Sequence, residues 1–388
     1  MKFHTPPVMA KGFRCASMNC GIKEEGKDLS IFLSDVTANA AGVFTRNLFP
    51  GAPIILGREI IRHGQLRAVV VNSRVSNVGT GETGIENARR MARAVSTSFD
   101  IPENEVIMSS TGVIGCQLPI DKIEAGIATI GEGLTTDPLV GAEGIMTTDT
   151  YPKAISLEVD GATLTVIGKG SGMIEPNMAT MLVYVLTDAE IPVPALDRML
   201  REAVKDSFNM LSVDSDTSTS DTCLALANGL AGPVDHDLFA KALSEACVEM
   251  TRLLARDGEG ATKLLTATVD GAASETEARF LAKALINSPL IKTMAYGADP
   301  NIGRILMAVG KCTHCTVKPE TLSITINETL VYEDQQRVDF NESKVRSLLA
   351  GEHVAITVSL CVGEASATAY GCDLTEGYIK ENAAYYSS

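Results

Sequence analysis

The stretch of sequence that decides the fold is GKGSGMIEPNMATML, residues 168–182. A β-hairpin is predicted directly before it, over 154–167, because apolar residues alternate on both sides of Asp160-Gly161, a dipeptide typical of two-residue turns. The segment TMLVYVL, residues 180–186, predicts another strand. A glycine-rich turn therefore delivers a hydroxyl residue, Thr180, to the start of an apolar strand.

Strand-like and helix-like segments alternate along the rest of the chain, which predicts an α/β or α+β fold. The run LRAVVVN, residues 66–72, is typical of a buried strand. The last hundred residues are richer in strands, and we expect a smaller C-terminal β-rich lobe from about 290 to 388. Helices are predicted at 86–98, 196–208, 237–256, 276–286 and 341–349, and further strands at 322–326 and 354–360.

The charge of the chain argues against polyanionic partners. It has 48 acidic and 33 basic residues, a formal net charge of −15, and no Lys/Arg block, so a nucleic acid or an anionic membrane surface would be repelled. No apolar run reaches the roughly 18 to 20 residues that span a bilayer. The N-terminal sequence MKFHTPPVMAKGF has no apolar signal-peptide core, and we expect a cytoplasmic protein.

The nine cysteines are scattered and odd in number, which favours free thiols in a reducing compartment. Cys312 and Cys315 form the one close pair, with His314 between them. A zinc site would need a second pair of ligands at suitable spacing, and the other histidines stand alone in the sequence. No metal is therefore expected; a structural or redox role for the pair remains open beside two ordinary thiols near a turn.

Thr180 is a candidate nucleophile. A threonine hydroxyl attacks weakly unless a base lies beside it, and cleavage of the chain before the residue would turn its own α-amine into that base. With a pKa near 7.7 to 8.0, roughly a tenth to a sixth of such an amine is unprotonated at pH 7. The pair Ala179-Thr180 is permissive evidence on its own, because many strands begin with threonine.

The wider sequence resembles the ornithine acetyltransferase (glutamate N-acetyltransferase) family, whose members cleave themselves before the Thr of a KGSGM-x-x-PNMATML motif. The resemblance covers essentially the whole chain. It implies two β-sheets packed between helix layers, similar to N-terminal-nucleophile proteins but of the ornithine acetyltransferase type. Further matching motifs are KGF at 11–13, SSTGVIG at 109–115, MTTDT at 146–150, DTSTSDT at 216–222, DGEGATK at 257–263, NSP at 287–289 and GCDLT at 371–375.

The family resemblance also implies a reaction. Self-cleavage between Ala179 and Thr180 would give an α chain of residues 1–179 and a β chain of residues 180–388, paired as an α2β2 heterotetramer. Thr180 would then carry acetyl from N-acetylornithine to glutamate in a ping-pong reaction of arginine biosynthesis that uses no cofactor. Acetyl-CoA as a second donor is left open.

The resemblance assigns roles to individual residues. Thr111 and Gly112 would form the oxyanion hole, where donors can contribute roughly 3 to 4 kcal/mol to the transition state. Lys169 would bind the substrate carboxylate and Glu259 the ornithine amine. The full set of implied substrate-binding residues is Thr147, Lys169, Thr180, Glu259, Asn382 and Ser387.

Three positions depart from the usual family pattern. Arg74 replaces a common glycine, where a left-handed backbone would be strained; Ile302 replaces a common tryptophan; and Ser387 replaces a threonine. These changes leave the catalytic chemistry intact, but they leave the identity of the acetyl donor and acceptor open. Three alternative functions are kept beside the acetyltransferase. The chain could be a paralogue acting on a related amino acid, an amidase or aminopeptidase that passes the acyl group to water, or a non-catalytic protein that keeps the fold.

Overall fold

The structure is a computed structural model that describes residues 2–175 and 181–383. The described residues form two compact units. The first contains 2–170, 181–209 and 217–250, and the second contains 171–175, 210–216 and 251–383.

The first unit is built on an eight-stranded mixed sheet in the order β4-β3-β2-β8-β7-β6-β5, with β1 paired to β2. The first unit ends within its last helix, because the residues of that helix from Thr251 onward belong to the second unit. Its elements are β1 (Phe13–Met18), β2 (Leu29–Phe44), α1 (Ala52–Ile60), β3 (Gln65–Asn72), α2 (Gly81–Phe99), β4 (Val106–Ser110), α3 (Ile120–Ile130), α4 (Pro138–Ile145), β5 (Lys153–Val159), β6 (Ala162–Lys169), β7 (Leu182–Glu190), α5 (Val193–Asp206), β8 (Thr222–Pro233) and α6 (His236–Arg256).

Strand β3 contributes apolar residues to both faces of this sheet. Ala68 and Val70 pack with α2 and α3 on one face, while Val69 and Val71 pack with α4 on the other. Successive strand residues point to opposite faces, so an uninterrupted valine run is needed to fill both cores. The burial predicted for residues 66–72 is confirmed, since Arg67 alone in that segment is partly exposed.

The second unit contains a six-stranded sheet in the order β12-β11-β10-β13-β9-β14, in which β13 and β9 are parallel. Apolar residues of α7, α8, α9 and α10 pack on it in one core. Its elements are β9 (Leu264–Ala272), α7 (Glu275–Ile286), α8 (Pro289–Tyr296), α9 (Ile302–Gly310), β10 (Ser323–Ile326), β11 (Thr329–Glu333), β12 (Gln336–Arg337), α10 (Glu342–Leu349), β13 (His353–Ser359), β14 (Ala365–Cys372) and α11 (Glu376–Ala383).

The predicted mixed α/β class, with two sheets that carry helices, is confirmed. The hairpin of β5 and β6 turns at Asp160 and Gly161, with φ of +50° and +79°, as the two-residue turn requires. β6 then pairs with β7, so the segment 170–181 connects two neighbouring antiparallel strands. Ala179 and Thr180, the predicted cleavage position, lie outside the described residues.

Candidate active site

The turn after β4 carries Thr111 and Gly112. β3 and β4 are parallel, and Asn72 at the end of β3 pairs with Ser110 at the end of β4. The Asn72 side chain accepts a hydrogen bond from Ser110 Oγ at 2.6 Å, and its backbone carbonyl accepts one from the Thr111 N–H at 3.1 Å. Parallel strands open their loops at the same edge of a sheet, so the loops after β3 and β4 lie side by side.

Gly112 is in contact with the backbone of the neighbouring loop. Its φ is +126°, and a Cβ at this position would lie 2.2 Å from the carbonyl carbon of Arg74. That carbonyl accepts a hydrogen bond from the Val113 N–H at 2.9 Å. Arg74 itself has a φ of +84°, which is unfavourable for a residue with a Cβ. The structure thus has the strain that the sequence predicted at Arg74.

The end of β6 places a cation beside a hydroxyl. Lys169 Nζ donates to Thr147 Oγ1 at 2.8 Å, and the ammonium-bearing residue is only 8% exposed. The Thr147 N–H in turn donates to Asp149 Oδ2 at 3.1 Å. An ammonium group and a hydroxyl at hydrogen-bond distance are suited to bind a carboxylate.

Asp149 is the buried anion that organises this cluster. Its Oδ1 accepts from Lys153 Nζ at 2.8 Å and from the Gly170 N–H at 2.8 Å, and the Asp149 and Lys153 side chains are both fully buried. Burial alone would raise the pKa of Asp149, but the charges of Lys169 and Lys153 outweigh it and hold the pKa below its ordinary value. The ionised Asp149 carboxylate therefore holds the backbone of Thr147, which contacts the Lys169 ammonium group, and the backbone of Gly170, which follows Lys169 in the chain.

Replacing Asp149 by asparagine is expected to lower the free energy of unfolding by about 3–5 kcal/mol, because a buried ammonium would lose its counter-charge. Urea unfolding measures this. A carboxylate with a lowered folded-state pKa stabilises the protein above its unfolded pKa, and that contribution disappears as pH falls through the folded-state value. The difference between wild type and variant should therefore be full at pH 7 and shrink below about pH 4, near the ordinary aspartate pKa.

Asp121→Asn is the matched control, since Asp121 pairs with Arg90 at 2.7 Å but has a side chain that is 89% exposed. Solvent-exposed pairs contribute little, so its unfolding curve should overlay that of the wild type. Equal losses in the two variants would contradict the role assigned to the buried pair.

The second unit positions Glu259 on the loop between α6 and β9. The Glu259 N–H donates to the Ser171 carbonyl at 3.0 Å, and Ser171 Oγ donates to the Asp257 carbonyl at 2.7 Å. The Glu259 carboxylate packs so closely on Gly172 that a Cβ there would lie 2.2 Å from it. The predicted motifs GKGSGM and DGEGATK are therefore in direct contact at Ser171, Gly172 and Glu259.

The other end of this loop is clamped by β14. Asp373 accepts hydrogen bonds from the backbone N–H groups of Thr262 and Lys263 at 2.8 and 3.0 Å. Lys263 Nζ donates to the carbonyls of Ala295 and Leu349 at 2.6 and 2.8 Å. The last two residues of the DGEGATK motif are thus structural. Glu259, one of the two acidic residues of the motif, has a further polar partner in α11.

That partner is Asn382, whose Nδ2 donates to Glu259 Oε2 at 2.8 Å. α11 approaches the loop through glycines: Gly260 has a φ of +66°, and a Cβ on it would lie 2.3 Å from the Gly377 carbonyl carbon. Thr375 Oγ1 donates to the Gly260 carbonyl at 2.6 Å and accepts the Gly377 N–H at 2.9 Å. Backbone contact therefore fixes the start of the helix that carries Asn382.

Tyr378 adds a hydroxyl group near this carboxylate. Burial, together with the negative charges of Asp214 and Glu259, raises the pKa of Tyr378 to about 12. Asp214 also accepts the backbone N–H groups of Met173 and Ile174 at 2.7 and 2.8 Å. Tyr378 thus remains protonated at neutral pH and can donate a hydrogen bond.

A protein-family model, described as the ArgJ family, matches residues 14–387. The chain belongs to the ArgJ family. Among curated proteins it is 44% identical, over 377 residues and 97% of both chains, to the arginine biosynthesis bifunctional protein ArgJ 2 of a Nostoc species. It is also 41% identical, over 389 residues and 98% of both chains, to the glutamate N-acetyltransferase Oat2 of Streptomyces clavuligerus. The family resemblance inferred from the motifs is confirmed.

A solved structure of the ArgJ family agrees with part of the fold. The crystal structure of the arginine biosynthesis bifunctional protein argJ from Bacillus halodurans matches with a TM-score of 0.50 and 39% sequence identity. The match covers 52% of this chain and 97% of the crystallised chain.

In this ArgJ-family chain, the structure brings Lys169 into contact with Thr147 and Glu259 into contact with Asn382. Thr180, Ala179 and Ser387 lie outside the described residues. Sequence reasoning missed Asp149 and Lys153 as site residues, although Asp149 lies within the motif MTTDT. Aspartate and lysine side chains are nearly always exposed in proteins, so the sequence gives no signal that this particular pair is buried.

The remaining predictions concern thiols and membranes. The Cys315 N–H donates to the Cys312 carbonyl at 2.9 Å in a turn, both thiols are free, and burial raises the pKa of each. Within residues 2–175 and 181–383, no group of three or more His, Cys, Asp or Glu side chains could hold a metal ion. In the same ranges, no helix combines the length and the apolar character needed to traverse a bilayer.

Proposed function

We propose that this protein is a self-processed glutamate N-acetyltransferase of arginine biosynthesis, which moves acetyl from N-acetylornithine to glutamate. The observation that carries the proposal is the ArgJ-family match over 14–387 in a chain that retains the complete segment GKGSGMIEPNMATML. The contacts of Lys169 with Thr147 and of Glu259 with Asn382 support it, because they provide groups suited to a carboxylate and an amine.

In the proposed maturation, Thr180 Oγ attacks the carbonyl carbon of Ala179 and the peptide nitrogen leaves, which gives an ester. Water hydrolyses that ester. The products are an α chain of residues 1–179 that ends in a carboxylate and a β chain of residues 180–388 that begins with a free amine. This amine lies on the same residue as the hydroxyl and is the general base for the next step.

In the proposed transfer, Thr180 Oγ attacks the acetyl carbonyl carbon of N-acetylornithine while the α-amine takes the hydroxyl proton. The bond to ornithine nitrogen breaks, that nitrogen receives the proton, and the acetyl group remains on Thr180 as an ester. The amine of glutamate then attacks the ester, and Thr180 Oγ leaves with a proton. Each tetrahedral intermediate carries negative charge on the former carbonyl oxygen, and donors at Thr111 and Gly112 would stabilise it.

We assign the substrate-binding roles by matching the charges of the site residues to the opposite charges of the substrates. Lys169 and Thr147 would bind the α-carboxylate that both substrates share. Glu259, oriented by Asn382, would bind the side-chain amine that only ornithine has, with Ser387 as a further contact. Charge-assisted hydrogen bonds of this kind contribute about 1.5–3 kcal/mol each.

This assignment predicts different effects on the two substrates. Lys169→Met should raise KM about 10- to 100-fold for both N-acetylornithine and glutamate. Glu259→Gln should raise KM about tenfold or more for N-acetylornithine and leave that for glutamate nearly unchanged, because glutamate has no side-chain amine. Steady-state kinetics with each substrate varied in turn would measure both values. Parallel losses on both substrates in Glu259→Gln would contradict the amine role.

The decisive assay incubates purified protein with N-acetylornithine and labelled glutamate and measures acetylglutamate against free acetate. Acetylglutamate as the main product supports the transferase, and acetate alone would establish a hydrolase instead. A second incubation with acetyl-CoA and glutamate tests the additional donor.

The proposed α2β2 assembly and cytoplasmic location predict that the protein is recovered in the cytosolic fraction. Light scattering of the protein purified from that fraction should give a mass of about 82 kDa, twice that of the 41.1 kDa chain.

A further inference from the structure

The loop between β1 and β2 is held in one conformation by a buried carboxylate. Asp28 accepts hydrogen bonds from the backbone N–H groups of Cys20, Ile22 and Lys23 at 2.7, 2.7 and 2.9 Å, and its side chain is fully buried. A carboxylate that accepts three backbone N–H groups fixes the path of the chain through those residues. The backbone position from which the Lys23 side chain extends is therefore fixed by these hydrogen bonds.

The Lys23 ammonium group reaches the segment that carries Thr147. Lys23 Nζ donates to the Met146 carbonyl at 2.7 Å and to the Lys27 carbonyl at 2.8 Å. Met146 directly precedes Thr147, whose hydroxyl accepts from Lys169 at 2.8 Å. A short chain of contacts thus leads from Lys23 through one peptide unit to the Thr147–Lys169 pair.

We propose that Lys23 is a positioning residue for substrate carboxylate binding, which acts by holding the Met146–Thr147 peptide and by adding positive charge beside Lys169. The inference rests on the proposed function, in which Thr147 and Lys169 bind that carboxylate. None of the family motifs identified in the sequence contains Lys23.

The charge of Lys23 depends on pH near neutrality. The pKa of Lys23 is lowered to about 8, mainly by burial; the cations Lys169 and Arg74 also lower it, and the carboxylates of Asp28 and Asp149 oppose the shift. Lys23 is therefore charged below about pH 8 and loses its proton as pH rises through that value. The neutral amine donates weaker hydrogen bonds and contributes no charge, so carboxylate binding should weaken at alkaline pH.

The test compares the processed wild type with Lys23→Met and Lys23→Arg, and uses Lys27→Met as the matched control. Lys27 lies on the same loop but donates to the Ser17 carbonyl at 3.0 Å and lies 3.8 Å from Glu143. We expect Lys23→Met to raise KM for glutamate about tenfold at pH 7, with kcat changed less than about threefold. Lys27→Met should retain the wild-type KM.

The pH profile separates positioning from a structural role. Wild-type KM for glutamate should rise through an inflection near pH 8. The Thr180 α-amine titrates in the same range in both proteins, so Lys23→Arg, which stays charged, should make the rise smaller and give a lower KM than wild type at pH 9. An inflection that persists unchanged in Lys23→Arg, or a Lys23→Met variant with wild-type KM at pH 7, would overturn the inference. If Lys23→Met does not fold, the wild-type and Lys23→Arg profiles still decide.

Calorimetric titration of the processed proteins with glutamate separates this inference from the proposed function. Wild type that binds glutamate, with Lys23→Met binding equally well, overturns the role of Lys23 alone. Wild type that neither binds glutamate nor transfers acetyl overturns the proposed function and this inference together. Weaker binding by Lys23→Met and unchanged binding by Lys27→Met supports both.

Discussion

Replacing Thr180 by alanine is expected to leave a single 388-residue chain on a denaturing gel, where the wild type gives fragments of 179 and 209 residues. The substitution removes both the group that would cleave the chain and the group that would carry acetyl. Loss of an enzyme nucleophile can cost on the order of 10⁶-fold in kcat, so acetyl transfer should fall to background. Intact-mass spectrometry and the transfer assay provide the two measurements.

Thr180→Ser is the informative companion, because serine keeps a hydroxyl and, after cleavage, an α-amine. It should still process, more slowly, and retain measurable transfer. Thr187→Ala controls for threonine loss on the strand that follows, since Thr187 Oγ1 donates to the Thr163 carbonyl at 2.8 Å within the sheet of the first unit. A Thr180→Ala protein that is cleaved and active would remove the basis of the proposed chemistry.

Gly112→Ala is expected to reduce kcat by about two to three orders of magnitude, which is the effect of losing one oxyanion donor. The new Cβ would overlap the Arg74 carbonyl group, at 2.2 Å from its carbon and 2.3 Å from its oxygen, so the turn must move. KM should change little, because the donor acts on charge that develops in the transition state. Steady-state kinetics on processed protein measure the effects on kcat and KM separately.

Gly115→Ala is the control that separates displacement of the Gly112 turn from the backbone strain of any substitution at a glycine with positive φ. Gly115 also has a positive φ, +86°, but a Cβ there would have no neighbouring atom within 4 Å. Its variant should lose stability and keep most of its kcat. Equal kcat losses in the two variants would show that strain, and not the position of the Gly112 turn, is responsible.

Much of the local structure follows from the sequence, because periodicity and turn residues encode it directly. The hairpin at Asp160-Gly161 and the helices at 237–256 and 276–286 correspond closely to β5, β6, α6 and α7. The 16-residue strand β2 was missed. Its pairing with β3 shifts register between Leu33 and Ala38, so neither an unbroken apolar run nor a continuous alternation marks its full length.

The candidate site was predictable only where residues belong to recognisable motifs. Their motifs made Lys169 and Glu259 candidates, whereas no motif pointed to the buried ion pair of Asp149 and Lys153. Lysine and aspartate are read as surface residues in a single sequence, and their burial depends on contacts between β5, the end of β6 and the loop before them. The sequence did not point to Lys23 either, because its proposed role depends on the Met146 carbonyl, 123 positions away.

The direct backbone contact between Gly260 and Gly377 has an evolutionary consequence. Because this contact is made by backbone atoms, it does not depend on the identity of the Tyr378 side chain, and Tyr378 can vary while the contact that positions the start of the helix carrying Asn382 is kept. New substrate preferences could therefore arise at this position by single substitutions, while the acyl-transfer chemistry is inherited unchanged.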